Sequence, residues 1–229
     1  RLIKIRHPRA PIDIVALCEP GAEHLAAARR ELSATARVYE DYRALAAAPE
    51  VDWIAVSSPN FQHARHARAA FAAGKHVFCE KPLATTLADA LAIRRAHDRS
   101  GKTFFFGLCL RYSPHYSRVG ELVRDGVLGK LLSFEFNETL GFNHGGYIMG
   151  NWRRNREWAG THLLEKCCHD IDLAHWFTGS LPVRAASFAG LDFFLPKNAR
   201  RMRELGKDPQ GRPAYMQWAD PGRSGQRRA

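Results

Sequence analysis

Glu165, His169 and Asp172 stand four and then three residues apart, so on a helix they share one face. A carboxylate one turn from an imidazole fixes its tautomer and raises its basicity, which suits a general base near neutral pH. The same spacing also describes a buried helix histidine satisfied by Asp172, and the spacing alone does not separate the two. A second group with chemical potential is Glu80-Lys81-Pro82, directly after the apolar run His76-Val77-Phe78-Cys79. An ammonium carried on a backbone fixed by proline is placed to polarise a hydroxyl, and Glu80 can hold or orient its charge. Taken alone, the three residues are equally an ordinary strand end. Cys167, Cys168 and His175 raise the question of zinc. Zinc sites pair cysteines two to four residues apart and add a second matching ligand pair. Adjacent cysteines leave a helix on different sides and no second pair exists, so the reading is structural thiols and no metal.

These groups need elements to hold them. Ile12–Cys18 is a β-branched apolar run that predicts a parallel strand, stopped by Glu19-Pro20-Gly21. An Ala-rich helix over 23–32 follows, then a short connection through Val38-Tyr39 and Asp41-Tyr42, and a smaller helix over 42–48. Val51–Ser57 predicts the next strand, closed by Ser58-Pro59-Asn60, with a helix over 62–73 that Gly74 ends. The strand leading to Lys81, a helix over 86–98 and a strand over 103–107 complete the pattern. Strand and helix alternate, which argues for a parallel sheet with helices on its faces. In such a sheet ligands bind at the carboxyl edge, where Lys81 is delivered.

Past Gly107 the pattern changes. Arg111-Tyr112-Ser113-Pro114 breaks the chain and 116–124 reads as a helix. Leu131–Glu138 alternates with period two, as a half-exposed strand does. The stretch 141–155, dense in glycine, aromatics and arginine, reads as a long loop of the kind that carries function. A single amphipathic helix is predicted over 162–177, and one more strand over 185–194.

The chain has 229 residues, a formal charge of +11 and ordinary hydrophobic content of 45%, enough for a sizeable core. From Pro196 onward nine basic residues face three acidic ones, so more than half of the excess sits at that end. A basic stretch binds phosphates non-specifically but carries no recognition motif, which argues against specific nucleic-acid binding. No apolar run approaches the ~20 residues of a membrane span, and no signal peptide is visible. Five cysteines, an odd number lying partly in apolar runs, suggest buried thiols in a reduced, cytoplasmic protein.

Three segments together carry a resemblance. Asp52-Trp-Ile-Ala-Val-Ser-Ser-Pro-Asn60 with His63 close behind, Ala73-Gly-Lys-His-Val-Phe-Cys-Glu-Lys-Pro82, and His169-Asp-Ile-Asp172 occur in the order found in the Gfo/Idh/MocA oxidoreductases. The resemblance spans roughly 13–195. It implies an α/β protein with an incomplete Rossmann-type parallel sheet over 1–107 and a partial open-sheet α/β second domain over 108–195, while 196–229, basic and without apolar period, reads as a stretch without order. No G-x-G-x-x-G occurs. The family's first strand and glycine-rich loop are therefore expected upstream of Arg1, with Arg1–Arg6 as the end of the helix behind them and the chain cut short at both ends.

By resemblance, Lys81 contacts the substrate hydroxyl and the nicotinamide ribose. Ser58, Pro59, Asn60, His63 and Glu80 border the cofactor with it. Glu19, after the first strand, implies NAD, with NADP as the alternative. Glu165 stands where the family usually carries aspartate, as orienter or proton partner of His169. Arg111, Tyr112, Trp152 and Asp172 are expected to bind substrate, with His144, Tyr147 and Arg153 as further candidates. The implied reaction moves a hydride between a nicotinamide and a secondary alcohol of a sugar or cyclitol: Lys81 polarises the alcohol and His169 takes its proton. The alternatives are an inactive family member that keeps the fold and, last, a nucleic-acid binder acting through the basic stretch. Association of copies through the second-domain sheet is a further expectation.

Overall fold

A computed structural model of the chain describes residues 12–149, 152–204 and 206. Two compact units divide it at Gly107–Leu108. The expected helix remnant Arg1–Arg6 and most of the basic stretch lie outside the described residues.

In the first unit the elements run β1 (Ala16–Leu17), α1 (Ala22–Glu31), β2 (Arg37–Val38), α2 (Tyr42–Ala47), β3 (Trp53–Val56), α3 (His63–Ala72), β4 (His76–Glu80), α4 (Leu87–Ser100) and β5 (Phe104–Gly107). β1 pairs in parallel with β2, Ala16 opposite Arg37. β3, β4 and β5 form a second parallel sheet, Trp53 opposite His76 and Val77 opposite Phe104. Both sheets are open, and helices make every crossover, so the α/β class holds. The β2 strand falls where the sequence suggests a connection; two residues are too few to display a period. β1 is shorter than the run Ile12–Cys18, with Ile12 and Ile14 exposed.

The three-stranded sheet buries one face. Val56, Val77 and Cys79 point into a core shared with Ala64, Ala67, Ala70 and Phe71 of α3 and Ile93 of α4. Spacings of three and four put the α3 residues on one stripe, and the alanines let that helix lie close to the strands. Phe71 meets Phe104 edge-on at 5.7 Å between centroids. Full burial of such a ring contributes about 2–3 kcal/mol. Gly74, at φ +72°, ends α3 in the left-handed region, and the Lys75 N–H bonds the Ala70 carbonyl at 3.0 Å as the chain turns into β4. Thr86 starts α4 by accepting from the Asp89 N–H at 3.1 Å.

The described residues of the second unit contain helices and no strand: α5 (Pro114–Arg124), α6 (Phe142–Met149), α7 (Arg156–Ala159), α8 (His162–Lys166), α9 (Cys168–Thr178) and α10 (Ala199–Glu204). Ser113 caps α5 by accepting from the Tyr116 N–H, with Pro114 at the first helical position. α5 packs on α9 at Gly120, where Trp176 covers the bare backbone. Around that contact Tyr116, Phe134, Phe136 and Phe177 form an aromatic cluster with centroid separations of 6.1–6.4 Å.

Several expectations are corrected here. Leu131–Glu138 keeps its period two, presenting Phe134 and Phe136 to that cluster, but forms no ladder, because a ladder needs a partner strand and none is described beside it. The strand expected over 185–194 is likewise absent, and Val183 and Phe188 are each 97% exposed. The sheet expected to join copies of the chain is therefore not found among the described residues. The long loop over 141–155 contains α6 and a 3₁₀ turn, Trp152–Arg154. The helix predicted over 162–177 is broken at Cys167, which ends α8 and leads α9. Pro196–Asn198 and α10 give helical turns to the start of the basic stretch. Of the five cysteines only Cys79 is buried, and Cys109 is exposed. No described helix is long and apolar enough to cross a membrane.

Candidate functional site

In the first unit the candidate residues gather where parallel strands end. β4 delivers Glu80, then Lys81, whose peptide bond to the fully buried Pro82 is cis. The Glu80 carboxylate accepts from the backbone N–H of Lys81 at 3.3 Å, so it orients the turn itself. Gly107, at the end of β5, lies against that turn: a Cβ there would stand 3.1 Å from the Cys79 carbonyl oxygen and 3.2 Å from Glu80 Cα.

β3 delivers Ser58, Pro59 and Asn60, and Asn60 is buried. Ser58 Oγ bonds His66 Nδ1 at 2.9 Å. Burial, with nearby Arg65 adding to it, pushes the His66 pKa down to about 4, so this ring is neutral and orients the Ser58 hydroxyl. His63 is 1% exposed and lies between the two turns, Nε2 2.8 Å from the Ser58 carbonyl oxygen and Nδ1 2.8 Å from that of Pro82. Glu19 follows β1, and one carboxylate oxygen accepts from the Gly21 N–H at 2.9 Å. Burial pushes the Cys79 thiol up to about 12, which makes it an inert core group.

The second unit holds the helical residues. Glu165 on α8 is 5% exposed and His169 on α9 is 6% exposed, so the break at Cys167 does not take either out of the interior. Arg153 donates from Nε to Glu165 Oε1 at 3.2 Å. The Arg153 guanidinium also lies over the rings of Tyr147 and buried Trp152, 4.1 and 4.3 Å from their centroids. Asp172 is held by Arg111 through two bonds, Nε to Oδ2 and Nη2 to Oδ1, both 2.6 Å. Each carboxylate flanking His169 along the helix is thus gripped by an arginine. Tyr112, beside Arg111 in sequence, is 65% exposed. Neither arginine partner follows from the spacing of the three helical residues. Their separations of 12 and 61 residues follow no helical or strand period, and only the arginine and aromatic content of 141–155 hints at the first. The sequence reading misses His66 altogether.

A further cluster lies in the same unit. Glu138, Asp170, Lys166, Cys167 and His162 line a cavity of about 350 Å³ with Phe136 and Leu140. Lys166 pairs with Glu138 at 2.6 Å, and burial followed by the Glu138 charge raises the Asp170 pKa. Among the described residues no group of His, Cys, Asp and Glu side chains has the arrangement of a metal site.

Residues 1–108 match the family model described as an oxidoreductase family with an NAD-binding Rossmann fold, and residues 120–220 match the model of that family's C-terminal α/β domain. The chain belongs to the Gfo/Idh/MocA oxidoreductase family. The second match runs through much of the basic stretch. An inositol 2-dehydrogenase/D-chiro-inositol 3-dehydrogenase of Lactiplantibacillus plantarum is 28% identical over 208 residues, covering 88% of this chain and 53% of that protein. The aldose-aldose oxidoreductase of Caulobacter crescentus, solved with glycerol, is 30% identical with a TM-score of 0.61, over 74% of this chain and 50% of that one. The WlbA dehydrogenase of Bordetella pertussis, solved with NADH and UDP-GlcNAcA, is 25% identical with a TM-score of 0.62, over 72% of this chain and 47% of that one. The chain spans about half the length of the curated relatives it matches.

Proposed function

We propose that the chain acts in the oxidation of a secondary alcohol of a sugar or cyclitol by a nicotinamide dinucleotide, NAD rather than NADP. The observation that carries the reading is the Glu80-Lys81-Pro82 turn at the carboxyl end of β4, in a domain matched to an NAD-binding family, together with the buried His169 of the second matched domain. A dinucleotide fits the described residues in one respect that the strands supply: Glu19, Ser58–Asn60 and Glu80–Lys81 all stand at or just past the carboxyl ends of parallel strands, where dinucleotides bind. A nicotinamide bound there supplies the hydride acceptor.

The rest is work for the chain. Glu19, its carboxylate aligned by the Gly21 N–H, accepts from ribose hydroxyls and repels a 2′-phosphate, which favours NAD. Lys81 polarises the substrate hydroxyl, and His169 takes its proton. Glu165 and Asp172, oriented by Arg153 and Arg111, frame His169, while Trp152, Arg111 and Tyr112 bind the polyol. The names of the relatives, an inositol dehydrogenase and an aldose-aldose oxidoreductase, support that substrate class.

Calorimetric titration with NAD⁺ and NADP⁺, followed by a screen of inositols and aldoses, tests the reading. Saturable NAD⁺ binding with weaker NADP⁺ binding and turnover of a polyol is the expected result. A folded chain that binds neither cofactor and turns over nothing overturns it and leaves the inactive family fold.

A further inference from the structure

We propose that His63 is a positioning residue that donates from both ring nitrogens at once and staples the turn after β3 to the turn after β4, fixing Lys81 through Pro82. Both ring nitrogens meet backbone carbonyl oxygens, Nε2 that of Ser58 and Nδ1 that of Pro82, each at 2.8 Å. A carbonyl oxygen only accepts. A neutral imidazole has one N–H and one lone pair, so a neutral ring would set a lone pair against one of these oxygens at contact distance. Both bonds form together only when both nitrogens carry protons. The distances agree, since charge-assisted N–H···O bonds run about 2.7–2.9 Å, at the short end of the neutral range.

Burial to 1% exposure and the position at the start of α3 both oppose a positive ring. The two carbonyls work against both, and they do so while both turns stay in place. That makes the staple mutual: the turns stabilise the doubly protonated ring, and the ring holds the turns at a fixed separation. The sequence reading sets His63 at the cofactor's edge; here it supports the residues at that edge. Ser58 is held twice over, its carbonyl by His63 and its hydroxyl by His66.

The importance of Lys81 rests on the function proposed above, but the staple does not, and its test uses neither cofactor nor substrate. Long-range ¹⁵N–¹H spectra of the uniformly labelled chain at neutral pH, with His63 assigned through its side-chain carbons, report the protonation of each ring nitrogen. The expected result is two protonated nitrogens with protons sheltered from exchange. A single protonated nitrogen overturns the proposal, and this measurement needs no variant. In a His63→Gln chain, which keeps one donor group, the backbone amide resonances of Ser57, Ser58 and Asn60 and of Glu80, Lys81 and Leu83 are expected to shift together while those of α4 stay in place. Unchanged resonances at Glu80, Lys81 and Leu83 in a folded variant would show that His63 does not position Lys81.

Discussion

Arg111 holds Asp172 with both edges of the carboxylate engaged, two bonds of 2.6 Å from Nε and Nη2. The hydrogen bonds to Asp172 raise the Arg111 pKa further above its already high value. The same guanidinium lies 5.5 Å from the ring of Trp176, one turn beyond Asp172 on α9. One side chain before α5 thus fixes two positions on the helix that carries His169.

Because the grip uses the planar fork of a guanidinium, charge alone does not reproduce it. Arg111→Lys keeps the charge but offers one oxygen a donor at a time and loses the stacking on Trp176. The expected cost is about 1–2 kcal/mol, since the pair is partly exposed and its Coulomb energy is screened. Urea unfolding followed by tryptophan fluorescence measures it. An unchanged midpoint would show that the pair is ornament on a helix held by its aromatic cluster.

Lys81→Ala tests the chemistry assigned to the first unit. The Glu80 carboxylate accepts from the backbone N–H of the turn and Gly107 packs against it, contacts that the substitution leaves in place, so the fold should survive. Turnover of the polyol identified in the screen should drop by roughly 10²-fold or more, the range lost when a group that positions and polarises a reacting hydroxyl is removed. Turnover at the parental rate would remove Lys81 from the mechanism.

The first unit was largely legible in the sequence, because its signals are local. The runs Val51–Ser57 and His76–Cys79 are apolar over the length of a strand, Gly74 and Gly101 end helices, and the alternation of element types fixes a parallel sheet. Leu131–Glu138 misled because a period of two reports which side is apolar, not whether a neighbour completes the ladder; its phenylalanines pack on α5 and α9 instead. On the candidate site, the spacing of Glu165, His169 and Asp172 assumed one continuous helix, and the break at Cys167 divides them between α8 and α9. The arginines that grip the two carboxylates come from distant segments, and tertiary pairing of that kind leaves no periodic trace. The part played by His63 was equally hidden, since two carbonyls 5 and 19 residues away carry no side-chain signature.

The depressed pKa of His66 links stability to pH. In the unfolded chain the ring titrates near 6.5; in the folded one burial holds it at about 4. Above the unfolded value both states are neutral and the contribution is complete. Between the two values the unfolded ring takes up a proton that the folded ring refuses, so stability falls as pH drops through that window. The ring is only partly enclosed, and after solvent screening the loss should be about 1–2 kcal/mol. His66→Gln retains a partner for Ser58 and does not titrate. Urea unfolding across the window should therefore show a flatter pH dependence in the variant, and an equal slope in both chains would assign the effect to other histidines.

Gly120→Ala sets two effects of opposite sign against each other. Within α5 an alanine gains about 1 kcal/mol over glycine in helix propensity. A Cβ at this position, however, would stand 2.9 Å from two ring carbons of Trp176, closer than atoms tolerate. The indole is not free to retreat, since Arg111 lies over it and Phe177 stacks on it at 5.1 Å. Overpacking of a fixed ring costs about 1–3 kcal/mol, so the clash should win and the variant should unfold earlier in urea. Loss of the Arg111 grip should accompany it, because moving Trp176 moves the turn of α9 next to Asp172. Combining Gly120→Ala with Arg111→Lys should then cost less than the sum of the two single changes. Strict additivity would mean that α5 and Arg111 hold α9 independently.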